Sequence, residues 1–498
     1  MKFLSILFLS IIALFANAQS WTGAPKEKPK ERITTLKYGP LHIGKRMDAA
    51  MQHFREYGLG QFIHWGLYAI PGNEWNGVSA RKGAAASEWI RTWSGPTAPK
   101  DWKHTYDNLY KQFDPKDFDA KRWAKQAKAM GVKYVIFTTK HHDGFCMWPS
   151  KYANYTIAQT PYKKDIVKQV VDAYTAEGID VYLYYSILEW SNPDYMSKEP
   201  KTGEEKTKFN KFLTYTRNQL LELMENYPQL KGFWFDGTWD ASWKSAYDFT
   251  CNLEKELREK HPGLIIGSRF RNDEYGKRHF DSNGDLLGDY EQGWERKMPE
   301  SYEQLSGNDW DCVMTIPPNG WGYMKDWSGL YTKNTNDLLD MLMHCRSMGG
   351  NFVINFGPDA NGRMRPEEDT IAKKLGNWIK LNGDAVYKVA HTSLEPAGYG
   401  YYTQNDSLLY LTVFNRPVTN LVRIKIPRSA NVVPVGVSLL QSNQPLQVKL
   451  SDMGMDRDKN VYFDVLLPDA FISKEPFVIK IQTQKGKIDS KELEKAHI

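Results

Sequence analysis

Eight strand signals, most of them trailed by a helix signal, constrain this chain more than any single motif. Between about residues 56 and 380, short apolar, β-branched or aromatic runs alternate with amphipathic stretches. The runs are GQFIHWG, KYVIFTTKHH, IDVYLYYS, KGFWFDG, GLIIGSRF, DLLGDYE, DCVMTI and GNFVINFGP. Helix signals lie between several of them. In DFDAKRWAKQAKAMG, Asp119 caps, Trp123, Ala127 and Met130 share a face, and Gly131 takes the left-handed stop. KDIVKQVVDAYTAEG sets Val167, Val170, Val171 and Tyr174 on one stripe. Such a series predicts an α/β chain closed as a (β/α)8 TIM barrel rather than an open doubly wound sheet. No G-x-G-x-x-G follows the first strand, which argues against a dinucleotide fold. Helix signals are weak between strands six and seven, so irregularity is expected there.

After about residue 390 the rhythm changes. SLLYLTVF, VRIKIP, VVPVGVSLL, LQVKL, NVYFDVLLP and FVIKIQT are short strands with no helices between them, which reads as a C-terminal antiparallel β-sandwich. The expected layout is a signal peptide at 1–18, an arm or linker at 19–45, the barrel at 46–388, the sandwich at 389–484 and a charged tail at 485–498. The signal reading rests on Lys2, the apolar run Phe3 to Phe15 and the small-x-small step Ala16-Asn17-Ala18. That run is short of the roughly 20 residues that span a bilayer. The mature chain is therefore expected to be exported, to a periplasm or the outside, with no membrane span. Its formal charge of +6 falls to +5 once Lys2 is removed. PKEKPKER, the one dense basic run, is broken by acids and prolines, so no nucleic-acid partner is expected. Four cysteines are too few and scattered for a disulfide scaffold or a zinc site.

A barrel of this kind gathers its chemistry at the C-terminal ends of the strands. Those ends carry His64 and Trp65, with Glu74 and Trp75 in the loop beyond; His141 and His142; Tyr185 and Ser186; Trp234 and Asp236; and Arg269. They continue with Glu291 and Glu295 after strand six, Trp321 after strand seven, and Asn355 with Asp359 at strand eight. Adjacent residues of a strand face opposite ways, so one of His141 and His142 could serve the core. A metal reading would enlist His64, His141, His142 and Asp236. It lacks the H-x-H pattern that puts two ligands on one strand face, so no metal or cofactor is expected. The 17 tryptophans and 28 tyrosines include more flat, polar-edged platforms than a metal cage needs, and sugars use such platforms. Glycoside hydrolysis by two carboxylates fits best: Asp236 at a strand tip as nucleophile, and Glu295 or Glu291 as acid/base. A non-catalytic sugar-binding barrel stays open, as does a glycosidase for a related sugar such as galactose.

QFIHWGLYAIPGNEW, GVKYVIFTTKHHDGFCMW, VYLYYSILEW, GFWFDG, DWDCVMTIPPNGWGY and GGNFVINFGPDANG together resemble the α-L-fucosidases of glycoside hydrolase family twenty-nine. The resemblance covers roughly residues 45–390, and the terminal sandwich suits the same family. It implies a retaining exo-hydrolase acting on terminal α-L-fucose of glycans, with Asp236 as nucleophile. It implies that His64, His141 and His142 hold sugar hydroxyls, that Glu74 and Trp75 shape the pocket, and that Tyr185, Trp234, Arg269 and Trp321 line it. Counting back from Pro299 favours Glu295 over Glu291 as acid/base. The stretch SKEPKTGEEKTKFN is a candidate for the aglycone side.

Overall fold

The computed structural model describes residues 31–36, 44–81, 86–394, 396–415, 419–451, 459–468 and 475–485. The signal peptide, most of the expected arm and nearly all of the tail lie outside the described residues. Eight parallel strands form one curled sheet: β1 Leu59–Ile63, β2 Tyr134–Lys140, β3 Asp180–Ser186, β4 Gly232–Asp236, β5 Ile265–Ile266, β6 Glu291–Glu295, β7 Trp310–Thr315 and β8 Asn351–Phe356. Their spatial order is β5-β4-β3-β2-β1-β8-β7-β6. The two free edges meet through backbone bonds, Asp289 N–H to Ile266 O at 2.8 Å and Ser268 N–H to Tyr290 O at 3.1 Å. Those two bonds complete the ring of a TIM-like barrel.

Helix α1, Ala49–Glu56, precedes β1 and turns Met51 and Phe54 into the barrel floor beside Tyr134, Tyr182 and Tyr290. The remaining long helices follow the strands: α2 Ala120–Met130, α3 Ile166–Ala176, α4 Gly203–Asn226, α5 Tyr247–Lys260, α6 Thr335–Ser347 and α7 Pro366–Asn382. Local chemistry sets their ends. The Asp119 carboxylate accepts from Arg122 N–H to start α2, and Gly131 ends it at φ +92°. Asp165 caps α3 in the same way, and Val167, Val170, Val171 and Tyr174 are buried as one stripe. The stretch SKEPKTGEEKTKFN becomes the capping box and first turns of α4, with Thr202 and Glu205 bonding reciprocally.

The irregularity falls mainly between β5 and β6. No helix joins them, and β5 is two residues long. The sixth strand lies at Glu291–Glu295, starting on the last residue of the DLLGDYE run. The Asp281 carboxylate accepts from Asn283 N–H and Asp285 N–H, which curls that stretch into a turn. Leu287 then packs against Leu36 in a small side cluster instead of entering the barrel. Between β6 and β7 there is one 3-10 turn, Tyr302–Leu305.

The C-terminal strands are β9 Gly400–Asn405, β10 Leu408–Val413, β11 Leu421–Pro427, β12 Val432–Leu439, β13 Gln447–Leu450, β14 Asn460–Leu466 and β15 Phe477–Lys485. They pair antiparallel as two sheets, β9-β10-β15-β12 and β11-β14-β13. The inner faces, including Leu411, Ile424, Phe463 and Ile479, share one core. In β11 the burial alternates residue by residue, as a sheet with one wet face requires. Six of these seven strands among the described residues match the sequence runs; β9, Gly-Tyr-Tyr-Thr-Gln-Asn, does not stand out as one. No helix among the described residues is long and apolar enough to cross a membrane.

Candidate active site

The C-terminal mouth of the barrel holds two carboxylates on one cation. Arg269, three residues past β5, donates from Nη1 to Asp236 Oδ1 at 3.2 Å and from Nη2 to Glu295 Oε2 at 2.8 Å. Its Nε donates to Gln292 O, and its guanidinium lies 5.0 Å over the Trp234 ring. Asp236, the last residue of β4, also accepts from its neighbour Gly237 N–H and from Tyr184 O–H, each at 3.1 Å. Burial pushes the Asp236 carboxyl up to about 6, against the pull of Arg269. Burial pushes Glu295 the same way, but Arg269 and Arg296 outweigh it and hold that carboxyl below its usual range.

Three histidines stand across from this pair. The Asn355 side chain donates from Nδ2 to Trp321 O, so its Oδ1 accepts from His64 Nδ1–H at 2.7 Å. The Ser186 hydroxyl donates to Leu188 O, so its oxygen accepts from His142 Nδ1–H at 2.6 Å. Both neutral rings therefore carry the lone pair on Nε2. That of His142 lies 3.7 Å from Asp236 Oδ2, beyond hydrogen-bond reach. Burial pushes His64 and His142 down to about 3, so both are neutral acceptors near pH 7. His141 stacks on Tyr184, with planes 6° apart and centroids 5.4 Å apart. Both His141 and His142 reach the mouth because the register of β2 on β3 shifts after Thr138 and the strand ends at Lys140. The pair sits in the following turn, where strict alternation no longer applies.

Aromatic rings complete the walls. Trp234 stacks against Tyr184 and edge-on to Phe62. Trp321 tilts over His64 at 5.1 Å, with the Arg296 guanidinium 5.6 Å from its ring centre. At the rim, half-buried Trp89, Trp190 and Trp239 surround His142 at 5.3–5.4 Å. Glu88, buried beside Trp89, accepts from Trp321 N–H at 2.8 Å and Gly322 N–H at 3.1 Å, tying the β1 loop to the β7 loop. Among the described residues no three His, Cys, Asp or Glu side chains are placed to share a metal ion.

Residues 28–384 match the family model for α-L-fucosidase. The chain belongs to the α-L-fucosidase family. A family 29 α-L-fucosidase from Bacteroides thetaiotaomicron is 46% identical and superposes with a TM-score of 0.83, over 90% of this chain and 99% of that one. That enzyme was solved as a trapped covalent intermediate with 2-fluoro-fucosyl fluoride, in a glutamate-to-glutamine variant. An α-L-fucosidase from Branchiostoma floridae is 30% identical over 400 residues, 77% of this chain and 83% of the relative. Rat tissue α-L-fucosidase is 28% identical over 396 residues, 77% of this chain and 80% of that protein.

On this α-L-fucosidase scaffold, Asp236, Glu295, His64, His141, His142, Trp234, Arg269 and Trp321 come together at one mouth. Four sequence-level choices do not. Tyr185 faces outward: its hydroxyl meets Gln219 at 2.7 Å and Lys140 at 2.9 Å, on the helix side of the sheet. Tyr184 is the inward residue, because β3 pairs Tyr184 with Trp234 and Ser186 with Asp236. Glu74 and Trp75 lie on a hairpin closed by Asn76 and Gly77, both at positive φ, with Trp75 edge-on to Trp102. The later Glu-Trp pair, Glu88 and Trp89, occupies the mouth instead. The Asn-Gly after Trp75 was the available signal, since it marks a surface hairpin. Glu291 is the first residue of β6, not part of the loop after it. Four residues at about 3.3 Å each set it roughly 13 Å down the strand from Glu295.

Proposed function

We propose that this chain is an exported, exo-acting, retaining α-L-fucosidase in which Asp236 attacks the anomeric carbon of terminal α-L-fucose. Glu295 protonates the leaving oxygen and then takes a proton from the water that releases the sugar. The observation that carries this reading is the shared guanidinium. Arg269 holds both carboxylates at one opening, faced by histidine nitrogens that can only accept. Fucose offers hydroxyl donors to His64 Nε2 and His142 Nε2, and its C5 methyl suits the apolar faces of Phe62, Trp234 and Trp321. Tyr184 O–H, Gly237 N–H and Arg269 stabilise the Asp236 carboxylate as nucleophile and again as leaving group.

The carboxyl pair also admits the reverse roles, because Asp236 is the group pushed up and Glu295 the group held down. A covalent intermediate formed despite replacement of a glutamate, as in the Bacteroides enzyme, supports an aspartate nucleophile. Labelling with 2-deoxy-2-fluoro-α-L-fucosyl fluoride, followed by proteolysis and mass spectrometry, separates the two. The 2-fluoro-fucosyl mass is expected on the peptide containing Asp236; a label on Glu295 reverses the roles. Export is tested by N-terminal sequencing of the mature protein, expected to begin at Gln19.

A further inference from the structure

The long connection between β5 and β6 carries a cation that the reaction above does not use. Arg278 is half-buried, yet among the described residues no hydrogen bond or ion pair engages its guanidinium. It lies within electrostatic reach of Arg269, which repels it, and of Asp236, which attracts it. Its segment is firmly built. The Asp273 carboxylate accepts from Tyr275 N–H, Lys277 N–H, Ser282 N–H and the Ser282 hydroxyl. Arg278 pairs antiparallel with Asn272, whose side chain reaches Thr238 O, next to Trp239. Arg278 thus lies one backbone pairing and one hydrogen bond from the residue preceding Trp239, within electrostatic reach of Asp236. A partly desolvated cation beside a second cation costs free energy unless something anionic meets it.

We propose that Trp89, Trp190, Trp239 and Arg278 form an acceptor subsite for the sugar that carries fucose, with Arg278 selecting acceptors that bear a carboxylate or a sulfate ester. This rests on the fucosidase reading. The tryptophans offer flat faces to a pyranose, and the guanidinium offers a planar fork that matches either oxyanion. The intended partner is therefore an acidic fucosylated glycan.

The test compares three matched substrates: a neutral fucosylated trisaccharide, its sulfated form and its sialylated form. Wild-type kcat/KM is expected to favour at least one anionic form by about tenfold at low salt, with the preference shrinking as salt rises. The sulfated and sialylated arms tell which anion is read. In Arg278→Gln the anionic-to-neutral ratio is expected to fall to within about twofold of one, and Arg278→Lys to retain part of it. The ratio cancels any general loss of activity or folding. A wild-type enzyme without anionic preference overturns the proposal, as does Arg278→Gln that keeps it. Wild-type hydrolysis of α-L-fucosyl fluoride, which has no acceptor sugar, keeps the two readings apart: failure there removes the fucosidase reading itself.

Discussion

The two sides of the barrel mouth are built differently. From β1 to β4, every connection ends in a long helix, and each functional group has a neutral side-chain partner, Asp236 having Arg269 as well. His64 rests on Asn355, His142 on Ser186, and Asp236 on Tyr184. At β5 the strand shrinks to two residues, no helix intervenes before β6, and the groups presented are charged: Arg269, Arg278 and Glu295. The regular side holds its groups at strand tips, where a rigid ladder fixes them. The seam brings charge from a loop and a strand end together, because its backbone is free of helix geometry. Attack on the sugar calls for the first kind of site, and proton transfer to the leaving oxygen for the second.

The largest expected effect breaks the regular side. Asp236→Asn should lose at least about 10⁴-fold in kcat on every fucoside while circular dichroism stays native. Activity within a hundredfold of wild type would put the nucleophile on the seam. Glu295→Gln breaks the other side. In kcat/KM it should lose about 10²- to 10⁴-fold on natural oligosaccharides but stay within about tenfold on a dinitrophenyl fucoside, whose leaving group needs no proton, while kcat on the latter falls because sugar release loses its base. Equal losses on both substrates would remove the acid/base role.

The pH profile comes next, and it couples the two sides. Asp236 is raised to about 6 and Glu295 is lowered, so the single proton of the pair rests mainly on Asp236. The productive form, Asp236 ionised and Glu295 protonated, is a minor but constant share of the singly protonated pair. For natural substrates kcat/KM should therefore fall about tenfold per unit as pH rises past about 6, where the pair loses its last proton. For the dinitrophenyl fucoside it should instead fall as pH drops below about 6, because Asp236 is then protonated. Matching profiles for both substrates would uncouple the carboxylates.

The smallest effect sharpens the comparison within β3. Tyr184→Phe removes one hydrogen bond to Asp236 and should cost about tenfold in kcat/KM. Tyr185→Phe, on the outer face, should stay within about twofold in kcat/KM and lower the melting temperature instead. The opposite outcome would mean that the inward parity of β3 is misread.

Much of the barrel was legible because its signals are local. Period-2 and period-3.6 patterns, with Asp119 and Asp165 as caps, follow from which side chains must leave water. Strand tips could be read for chemistry because a parallel barrel sends them all to one mouth. The failures share a cause. Tyr185 and Tyr184 differ by a parity that local composition does not reveal, since both faces of a barrel strand are buried and apolar. β6 was displaced because Leu286 and Leu287 look like a strand until Leu36, some 250 residues earlier in the chain, supplies the surface that Leu287 packs on.

By itself the sequence determined the repeating strand-helix order, the residue types at the mouth and the acid at the tip of β4. These depend on contacts within one element and on the hydrophobic demand of each face. Tertiary structure alone decided which tyrosine of β3 turns inward, which Glu-Trp pair reaches the mouth, and that one arginine joins Asp236 to Glu295. Each of those is a relation between segments distant in the chain. Such a relation is settled by strand register and by the packing of loops on one another, and neither is written in the local pattern of any one segment.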